Sequence, residues 1–549
     1  MTGKLLSLLL SHHELIIYTV ITILLASWFH WRWKHRQFLD MADKLPGPTS
    51  YPLIGTTSMF THTYDETIEK LKENAERYNY EPVGTWIGPI HYVSVVKPED
   101  IQIVLNNSRA LEKGQLYWFL KSLLGEGLLT ASVDRWRKHR RVISYAFNVK
   151  FLEQLYPVFN EKNKILVKNL RKNINSTRPF DLWDYIISTT FDTICHTAMD
   201  YRINEKHNKT EFLNLMTTIA EELVKTVNRP YLYPSATFSI YKYFSGLGSK
   251  LESINKLPLR LIDEKRTDYH SKAERTMKSN PEEVTNEDRN KFKTFVDTLF
   301  EACEKDPDFT DDDVRDEVIT MMFAGSDTNA TTECFCFLML AIHQDVQDEV
   351  YDELYNVVGD DIERNLTPED MAKLVYMEQV LKETLRMYPT ISVFTRQLSE
   401  DIRVTNHVLP KGASVTISPM VTHHCPRLYP NPGVFNPDRF SAENVAKRHK
   451  YSYIAFSGGA RGCIGMKYAM ISMKLMVSEV LRNFSVHTDI KLSDVKIKTN
   501  DAFTRKVGGY PITILPRDRR PSYVRNPIQP AAGTESPQSP TVVRTTSSR

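Results

Sequence analysis

The chain has 549 residues with 41% apolar and 25% charged content, which is ordinary for a globular protein and excludes fibrous structure and wholesale disorder. Its 70 basic residues nearly balance its 67 acidic ones, so the net charge gives no indication of nucleic-acid binding. A mean hydropathy of −0.37, with one long apolar stretch, excludes a polytopic membrane protein. The six scattered cysteines argue against a disulfide framework and favour a reducing environment.

The first predicted element is a transmembrane helix over residues 15–33, preceded by a short lumenal segment over 1–14. Leu15 to Trp31 contains no Asp, Glu, Lys or Arg and would span about 25 Å as a helix, near the lower limit for a bilayer core. A basic, tryptophan-rich cluster follows it and places the rest of the chain on the cytoplasmic side. A cleaved signal peptide is the alternative, but its basic residues would precede the apolar run. We therefore predict an uncleaved, single-pass signal anchor.

Three further segments complete the predicted organisation. Residues 34–55 combine the basic flank with a proline-rich hinge, which is stiff because proline fixes the backbone and breaks helices. Residues 56–516 form one large, mainly α domain with small β-sheets. Residues 517–549 are rich in Pro, Ser, Thr and Arg, with almost no large apolar residues, and we predict that this tail is disordered.

Within the large domain, hydrophobic periodicity predicts long amphipathic helices with short strands between them. The predicted helical segments are Tyr64–Tyr78, Trp136–Val158, Asp181–Ala198, Asp311–Val357, Pro368–Met387 and Met466–Leu481. The predicted strands are Tyr92–Val96, Ser414–Ile417 and Pro511–Leu515.

The most informative motif is the glycine-rich segment from Phe456 to Gly465, which contains Arg461 and Cys463 and leads into a predicted helix. Glycine lets a backbone pass very close to a flat group. Backbone N–H groups and a helix N-terminus favour a thiolate over a thiol, and such a thiolate is a ligand for haem iron. The alternative is a buried cysteine in a glycine turn. Five fixed positions at this spacing would arise by chance in about one in ten thousand chains of this length.

The pattern Phe-x-x-Gly-x-Arg-x-Cys-x-Gly resembles the haem-binding signature of the cytochrome P-450 superfamily. The resemblance extends over nearly the whole large domain. It implies a single mainly α haem-thiolate fold preceded by one transmembrane helix, with haem b as the cofactor. By this resemblance Cys463 is the axial ligand of the iron, and Phe456 belongs to the haem-binding set. The stretch from Asp316 to Glu349 is most similar to the fourth family of the superfamily, in particular to its insect members.

A second match lies in the predicted helix Asp311–Val357, where Ala-Gly-Ser-Asp-Thr runs from Ala324 to Thr328 between apolar residues. Glycine inside a helix costs about 1 kcal/mol relative to alanine. The hydroxyl of Thr328 can bond back to the carbonyl of Ala324, which bends the turn. The resemblance implies that Thr328 and Asp327 manage protons beside bound dioxygen. The alternative is an ordinary capping Asp-Thr pair in a solvated turn.

Charged residues supply the remaining matches. Glu383 and Arg386, three residues apart, and Arg439 resemble a buried network that we assign to the fold and not to the chemistry.

Trp136 and Arg140 are four residues apart and share a helix face. The resemblance gives these two residues, together with Arg396 and Arg461, contacts to the haem propionates. The other basic residues at 135–141 either form a solvated face or dock an acidic electron donor.

The resemblance implies a cytochrome P-450 monooxygenase in the endoplasmic reticulum membrane, with its catalytic domain on the cytoplasmic side. It would insert one oxygen atom from O₂ into a hydrophobic substrate such as a fatty acid, terpenoid, hormone-like lipid or xenobiotic. Electrons would come from NADPH through NADPH-cytochrome P-450 reductase, with cytochrome b5 as a second candidate donor. The alternatives are a haem-thiolate isomerase or dehydratase acting on lipid peroxides, and a non-catalytic haem- or lipid-binding protein. Neither alternative needs the polar pair Asp327 and Thr328.

Overall fold

The computed structural model describes residues 13–51, 55–56, 64–88, 90–174, 176, 178–203, 209–227, 229–278, 293–498 and 504–517. Over these residues the chain is mainly helical and carries small β-sheets, which confirms the predicted fold class. Residues 1–12 of the predicted lumenal segment and 518–549 of the predicted tail lie outside the described residues.

The α-helices of the described residues are numbered in chain order. They are α1 (His13–Lys34), α2 (Arg36–Ala42), α3 (Tyr64–Arg77), α4 (Pro98–Asn106), α5 (Leu116–Leu124), α6 (Val133–Ile143), α7 (Val149–Glu153), α8 (Tyr156–Leu170), α9 (Trp183–Met199), α10 (Lys209–Val227), α11 (Ser235–Phe244), α12 (Leu247–Lys278), α13 (Phe295–Lys305), α14 (Asp311–Ile342), α15 (Gln344–Val358), α16 (Pro368–Lys373), α17 (Val375–Met387), α18 (Pro419–His423), α19 (Ala442–Ala446) and α20 (Met466–Asn483).

The strands are short and belong to small sheets. They are β1 (Val83–Ile87), β2 (Ile90–Val95), β3 (Glu112–Lys113), β4 (Phe180–Asp181), β5 (Phe394–Gln397), β6 (Ile402–Arg403), β7 (Val408–Leu409), β8 (Ser414–Ile417), β9 (Phe484–His487), β10 (Ile497–Lys498), β11 (Arg505–Lys506) and β12 (Pro511–Pro516). The largest sheet has the order β1-β2-β8-β5-β3, with β2 and β8 parallel and Tyr92 opposite Ser414. A second sheet has the order β4-β12-β9, and two-stranded sheets pair β10 with β11 and β6 with β7.

Helix α14 runs through the core. It begins at a capping box in which the hydroxyl of Thr310 accepts from the N–H of Asp313, while the Asp313 carboxylate accepts from the N–H of Thr310. Most of its residues are buried, and α9 packs along it. A Cβ on Gly325 would lie 2.6 Å from Cδ1 of Ile194 in α9. A larger residue at position 325 would therefore displace the side chain of Ile194, and the glycine permits the close packing of these two helices.

Three of the predicted helices are interrupted. The segment predicted over Asp311–Val357 is α14 and α15, which meet at His343. The segment over Pro368–Met387 breaks at Leu374, and that over Trp136–Val158 divides among α6, α7 and α8. The apolar pattern continues across each break because both pieces bury a face in the same core, so periodicity gives no sign of the interruption. The other predicted helices and the three strands are confirmed, with ends shifted by a few residues.

The predicted transmembrane anchor over 15–33 is not supported. Among the described helices, α1 included, none combines the length and the apolar composition that are needed to cross a bilayer.

An aromatic cluster attaches the end of α1 to the large domain. The ring centroids of Trp31 and Trp86 are 6.0 Å apart in an edge-to-face arrangement. Phe38 of α2 meets Trp86 at 5.9 Å and His91 at 5.7 Å, and the Trp86 and His91 rings are 4.7 Å apart. Burial lowers the pKa of His91 to about 4, so its imidazole is neutral within the cluster.

Candidate functional site

The cysteine loop, from Phe456 to Gly465, folds back on itself just before α20. The N–H of Cys463 donates to the carbonyl oxygen of Phe456 over 3.0 Å. Gly459 has a φ of +65°, and a Cβ there would lie 1.9 Å from the carbonyl oxygen of Leu105 in α4. Only glycine satisfies both conditions. At this position the glycine serves the contact with α4, which lies far away in the chain and could not be predicted from the motif.

The sulfur of Cys463 accepts hydrogen bonds from the N–H groups of Gly465 and Met466, as the motif predicts. Burial nevertheless raises the pKa of this thiol, and it outweighs the two N–H groups and the charges of Arg140 and Lys113, which act in the opposite direction. The two N–H groups thus favour the thiolate, as predicted, and burial opposes them. The side chain of Cys463 still retains accessible surface, unlike that of the buried Cys195.

Arg461 is buried beside the cysteine loop and bonds to backbone carbonyls. Its Nε donates to the carbonyl oxygen of Leu111 over 3.0 Å, and its Nη2 donates to that of Ala131 over 2.7 Å. Its guanidinium carbon lies 4.6 Å from the ring centroid of Trp136 in α6. The predicted Trp136 is thus a partner of Arg461, and it positions this arginine through a cation–π contact.

Three more cations surround the same cysteine. Arg140 Nη1 donates to the carbonyl oxygen of Gly462 over 3.1 Å. The guanidinium of Arg396 interacts with the hydroxyl of Tyr117. Lys113 Nζ lies 4.3 Å from the ring centroid of Tyr117. Together with Arg461 these three residues form what we call the cation cluster.

None of the four members of the cation cluster forms an ion pair with a carboxylate in the part of the chain that the structure describes. Burial lowers the pKa of each of these four groups, that of Arg461 to about 10. The other buried arginines do have carboxylate partners: Arg386 with Glu383, Arg482 with Glu479, Arg505 with Asp327, and Arg517 with Asp348. The cation cluster is therefore a region of unmatched positive charge inside the protein, and such a region suits an anionic ligand.

A second polar region lies inside α14. The hydroxyl of Thr328 donates to the carbonyl oxygen of Ala324 over 2.6 Å, as predicted. Asp327 is buried, and its Oδ2 accepts from Nη2 of Arg505 in β11 over 2.5 Å. Arg505 also donates to the hydroxyl of Thr331. The solvated turn that was the alternative is excluded, because this Asp-Thr pair lies within a helix in the core.

Threonines extend this region toward a neighbouring loop. Thr332 donates to the carbonyl oxygen of Thr328 over 3.0 Å, and its hydroxyl lies 2.9 Å from that of Thr390. We call Asp327, Thr328, Thr331, Thr332, Thr390 and Arg505 the α14 polar cluster.

The predicted structural network of charges is present. Arg386 Nε donates to Glu383 over 2.7 Å, and both side chains are fully buried. Arg439 Nε lies 3.4 Å from the same carboxylate. Arg386 also donates to the carbonyl oxygens of His423 and Pro432. These contacts connect α17 to the segment that precedes the cysteine loop, which agrees with a role in the fold.

The basic face of α6 is partly neutralised by this chain's own acids. Arg135 Nε donates to Asp313 of α14 over 2.8 Å, and Lys138 Nζ lies 2.9 Å from Asp306. The arginines at 137 and 141 are exposed. The surface available to an acidic electron donor on α6 is therefore smaller than the five lysines and arginines of this segment suggest.

The structure thus brings the predicted residues into two groups: Cys463, Phe456, Arg140, Trp136, Arg396 and Arg461 around the cysteine loop, and Asp327 with Thr328 inside α14. Sequence reasoning missed Lys113 and Arg505. Lys113 carries no motif, and Arg505 meets Asp327 across 178 residues of chain. A buried aspartate in an apolar helix was the one signal that called for a basic partner.

Comparison with known proteins agrees with this arrangement. The family described as Cytochrome P450 matches residues 45–513. The chain is 33% identical to Cytochrome P450 4c21 of Blattella germanica over 87% of this chain and 94% of the relative. It is 28% identical to Cytochrome P450 4g15 of Drosophila melanogaster over 91% and 97%, and 32% identical to human Cytochrome P450 4V2 over 82% and 86%.

Proposed function

The chain belongs to the cytochrome P450 family and is a haem-thiolate monooxygenase, and we propose that it oxidises a lipid-like substrate with Cys463 as the axial ligand of its haem b. The observation that carries the site assignment is the coincidence of one accessible thiol with the cation cluster. The family implies electrons from NADPH through a reductase and a hydrophobic substrate. We propose the NADPH-cytochrome P450 reductase as the direct donor, with cytochrome b5 as a second donor.

The residues around the cysteine loop fit haem b. Its two propionates are anions, and the cation cluster has unmatched positive charge. The sulfur of Cys463 already accepts two backbone N–H bonds, which stabilise a negative charge on a ligating sulfur. Arg140, Arg396, Arg461 and Lys113 would hold the propionates, with Trp136 positioning Arg461.

When bound, haem b supplies the redox chemistry that activates dioxygen. The chain's own contribution is to hold the substrate, exclude water and move protons. The hydroxyl of Thr328 is engaged by the carbonyl oxygen of Ala324, so it donates elsewhere only after it rotates away from that carbonyl. Asp327, one residue earlier, is the nearest carboxylate along α14 that can return a proton to it. Met322 and Phe323, both buried, give the preceding turn an apolar character that suits a hydrocarbon substrate.

The experiment that tests this function is a reconstitution of the full chain with haem b and purified NADPH-cytochrome P450 reductase. Reduced protein with carbon monoxide should show the red-shifted Soret band of thiolate-ligated haem. A panel of fatty acids, terpenoids and xenobiotics should then yield hydroxylated products with consumption of NADPH and O₂. Conversion of a lipid hydroperoxide without NADPH would instead identify an isomerase or dehydratase. Binding of haem or lipid with no turnover under any of these conditions would identify a carrier.

We also propose that the protein associates with the endoplasmic reticulum membrane, with its catalytic domain on the cytoplasmic side. The support is large apolar side chains that are exposed: Leu15 and Phe29 on α1 are 64% and 63% exposed, and Tyr243 and Phe244 of α11 are 80% and 81% exposed. Flotation with liposomes tests the association, and protease protection in microsomes tests the orientation. Recovery of the full chain away from the liposomes would contradict this proposal.

A further inference from the structure

We propose that Arg505 is a positioning residue for the proton-handling pair: it fixes the carboxylate of Asp327 beside Thr328. The inference rests on the proposed function, because the position of Asp327 affects the reaction only if Asp327 and Thr328 pass protons. It adds a residue of β11, far away in the sequence, to a proton-handling pair that lies on α14.

The guanidinium of Arg505 contacts two side chains of α14 and one aromatic ring of α9. Its Nη2 donates to Oδ2 of Asp327 over 2.5 Å, and its Nη1 donates to the hydroxyl of Thr331, one turn further along α14. Its guanidinium carbon lies 4.2 Å from the ring centroid of Trp183, the first residue of α9. Arg505 and Asp327 are both buried. A planar guanidinium held in this way has little freedom, so the carboxylate that it binds also has one preferred orientation.

This arrangement has a consequence for Asp327. A carboxylate on a helix can adopt several rotamers, and only some of them point toward the hydroxyl of the following residue. The contact with Arg505 selects one rotamer, and the bond from Arg505 to Thr331 fixes the arginine relative to the helix. Arg505 thus joins the side chains of Asp327 and Thr331 at a single turn of α14, where Thr331 also donates to the backbone carbonyl oxygen of Asp327 over 2.8 Å. Displacing Arg505 therefore changes where Asp327 points without changing α14 itself.

A merely structural role for Arg505 is the competing explanation, and the chain provides a matched control for it. Arg517, at the end of β12, is also buried. Its Nη1 lies 3.3 Å from Asp348, and its guanidinium carbon lies 4.4 Å from the ring of Tyr351. Arg517 thus also has an aspartate partner and an aromatic contact, although Asp348 is 40% exposed, and these partners are on α15. Any effect common to R505Q and R517Q reports the loss of a buried arginine, and a loss of coupling confined to R505Q reports the position of Asp327.

The first measurement does not depend on activity. Thermal unfolding midpoints are compared for the wild type, R505Q, D327N and the double variant. Each single change leaves one buried charge unmatched, so each should lower the midpoint. The double variant places two neutral amides face to face, so its midpoint should lie above that of at least one single variant. Strictly additive losses would show that the two side chains do not act as a pair.

The second measurement is the product formed per NADPH, with peroxide as the uncoupled product, for the same proteins together with R505K and R517Q. R505Q should lower the product per NADPH by about tenfold, as expected for misplacement of a proton-handling group. R505K should restore part of the loss, the double variant should be no worse than D327N, and R517Q should match the wild type. Wild-type coupling in R505Q, or an equal loss in R517Q, would overturn the proposal. Failure of the proposed function itself would be distinguishable, because the wild type would then lack the thiolate band or the NADPH-dependent product.

Discussion

The cation cluster and the α14 polar cluster differ in how their charges are matched. Around Cys463, Arg396 and Arg461 are buried and form no ion pair with an acid among the residues that the structure describes, and burial lowers their pKa values. Inside α14, Asp327 and Arg505 neutralise each other directly. An unmatched set of buried cations is stable only when something from outside supplies the opposite charge. A matched pair needs nothing further, and its members instead define each other's position. Under the proposed function, charge matching therefore separates the region that would bind the cofactor from the region that would orient the proton-handling groups.

The largest effect is expected when the thiol of Cys463 is removed. Cys463→Ala should abolish the thiolate Soret band of the reduced carbon monoxide complex and all NADPH-dependent product, because the ligand that reaches the iron is gone. Cys303→Ala, at a half-buried cysteine in α13, is the control and should retain both. A retained thiolate band in the Cys463 variant would show that another cysteine is the ligand.

Removing an arginine that has no acid partner should affect haem binding, whereas removing an arginine that has one should affect stability. Arg396→Gln should weaken haem binding by about 10- to 100-fold through loss of a charge-assisted contact, without lowering the stability of the haem-free chain. Arg482→Gln leaves Glu479 buried without its partner and should lower that stability by about 3–5 kcal/mol, with haem affinity unchanged. Haem titration and chemical unfolding of the haem-free proteins measure the two effects. If Arg396→Gln destabilises the haem-free chain as strongly, the cluster is not an unmatched charge.

A smaller effect is expected at the hydroxyl of the α14 polar cluster. Thr328→Ala should leave haem and substrate binding unchanged and lower the product per NADPH by about tenfold, with the lost electrons recovered as hydrogen peroxide. Thr193→Ala is the matched control, because its hydroxyl makes the same bond to the carbonyl four residues earlier, that of Thr189, at 2.7 Å in α9. Unchanged coupling in the Thr328 variant would remove this residue from the mechanism.

The smallest expected effect concerns a third kind of charge, an acid without any partner. Glu333 of α14 is fully buried, and neither of its carboxyl oxygens has a hydrogen-bond partner among the described residues. Burial raises its pKa well above the ordinary value of 4.5. The folded protein therefore favours the protonated form of Glu333, so the contribution of this group to stability is fully present below about pH 4.5 and is lost as the pH rises through the folded-state pKa.

Glu333→Leu should consequently stabilise the protein at pH 7 by about 1–3 kcal/mol, and by less at pH 5. Unfolding midpoints of the wild type and the variant, measured across this pH range, give the size and the sign of the change in stability. Glu479→Gln, which removes an acid that does have a partner in Arg482, should be destabilising at both pH values. If the added stability of Glu333→Leu does not increase with pH, Glu333 is not a buried acid with a raised pKa.

The sequence predicted the cysteine loop and the Ala324–Thr328 segment because each is a short contiguous motif. It also predicted the mainly helical fold, since amphipathic periodicity is a local property. It could not predict the pairing of Asp327 with Arg505, because β11 and α14 meet across 178 residues of chain. The one-residue breaks at His343 and Leu374 were missed for a different reason, because both sides of each break bury the same face.

The aromatic cluster between α1, α2 and β1 has a practical consequence for any shortened form of this protein. A chain that began at Arg36 would keep Phe38 but lose Trp31, which covers one edge of the Trp86 indole. The uncovered indole would form an exposed hydrophobic patch on β1, the edge strand of the largest sheet, where two molecules could associate. Truncation ahead of Trp31, or replacement of Trp86 by a polar residue in the shorter chain, would avoid this self-association.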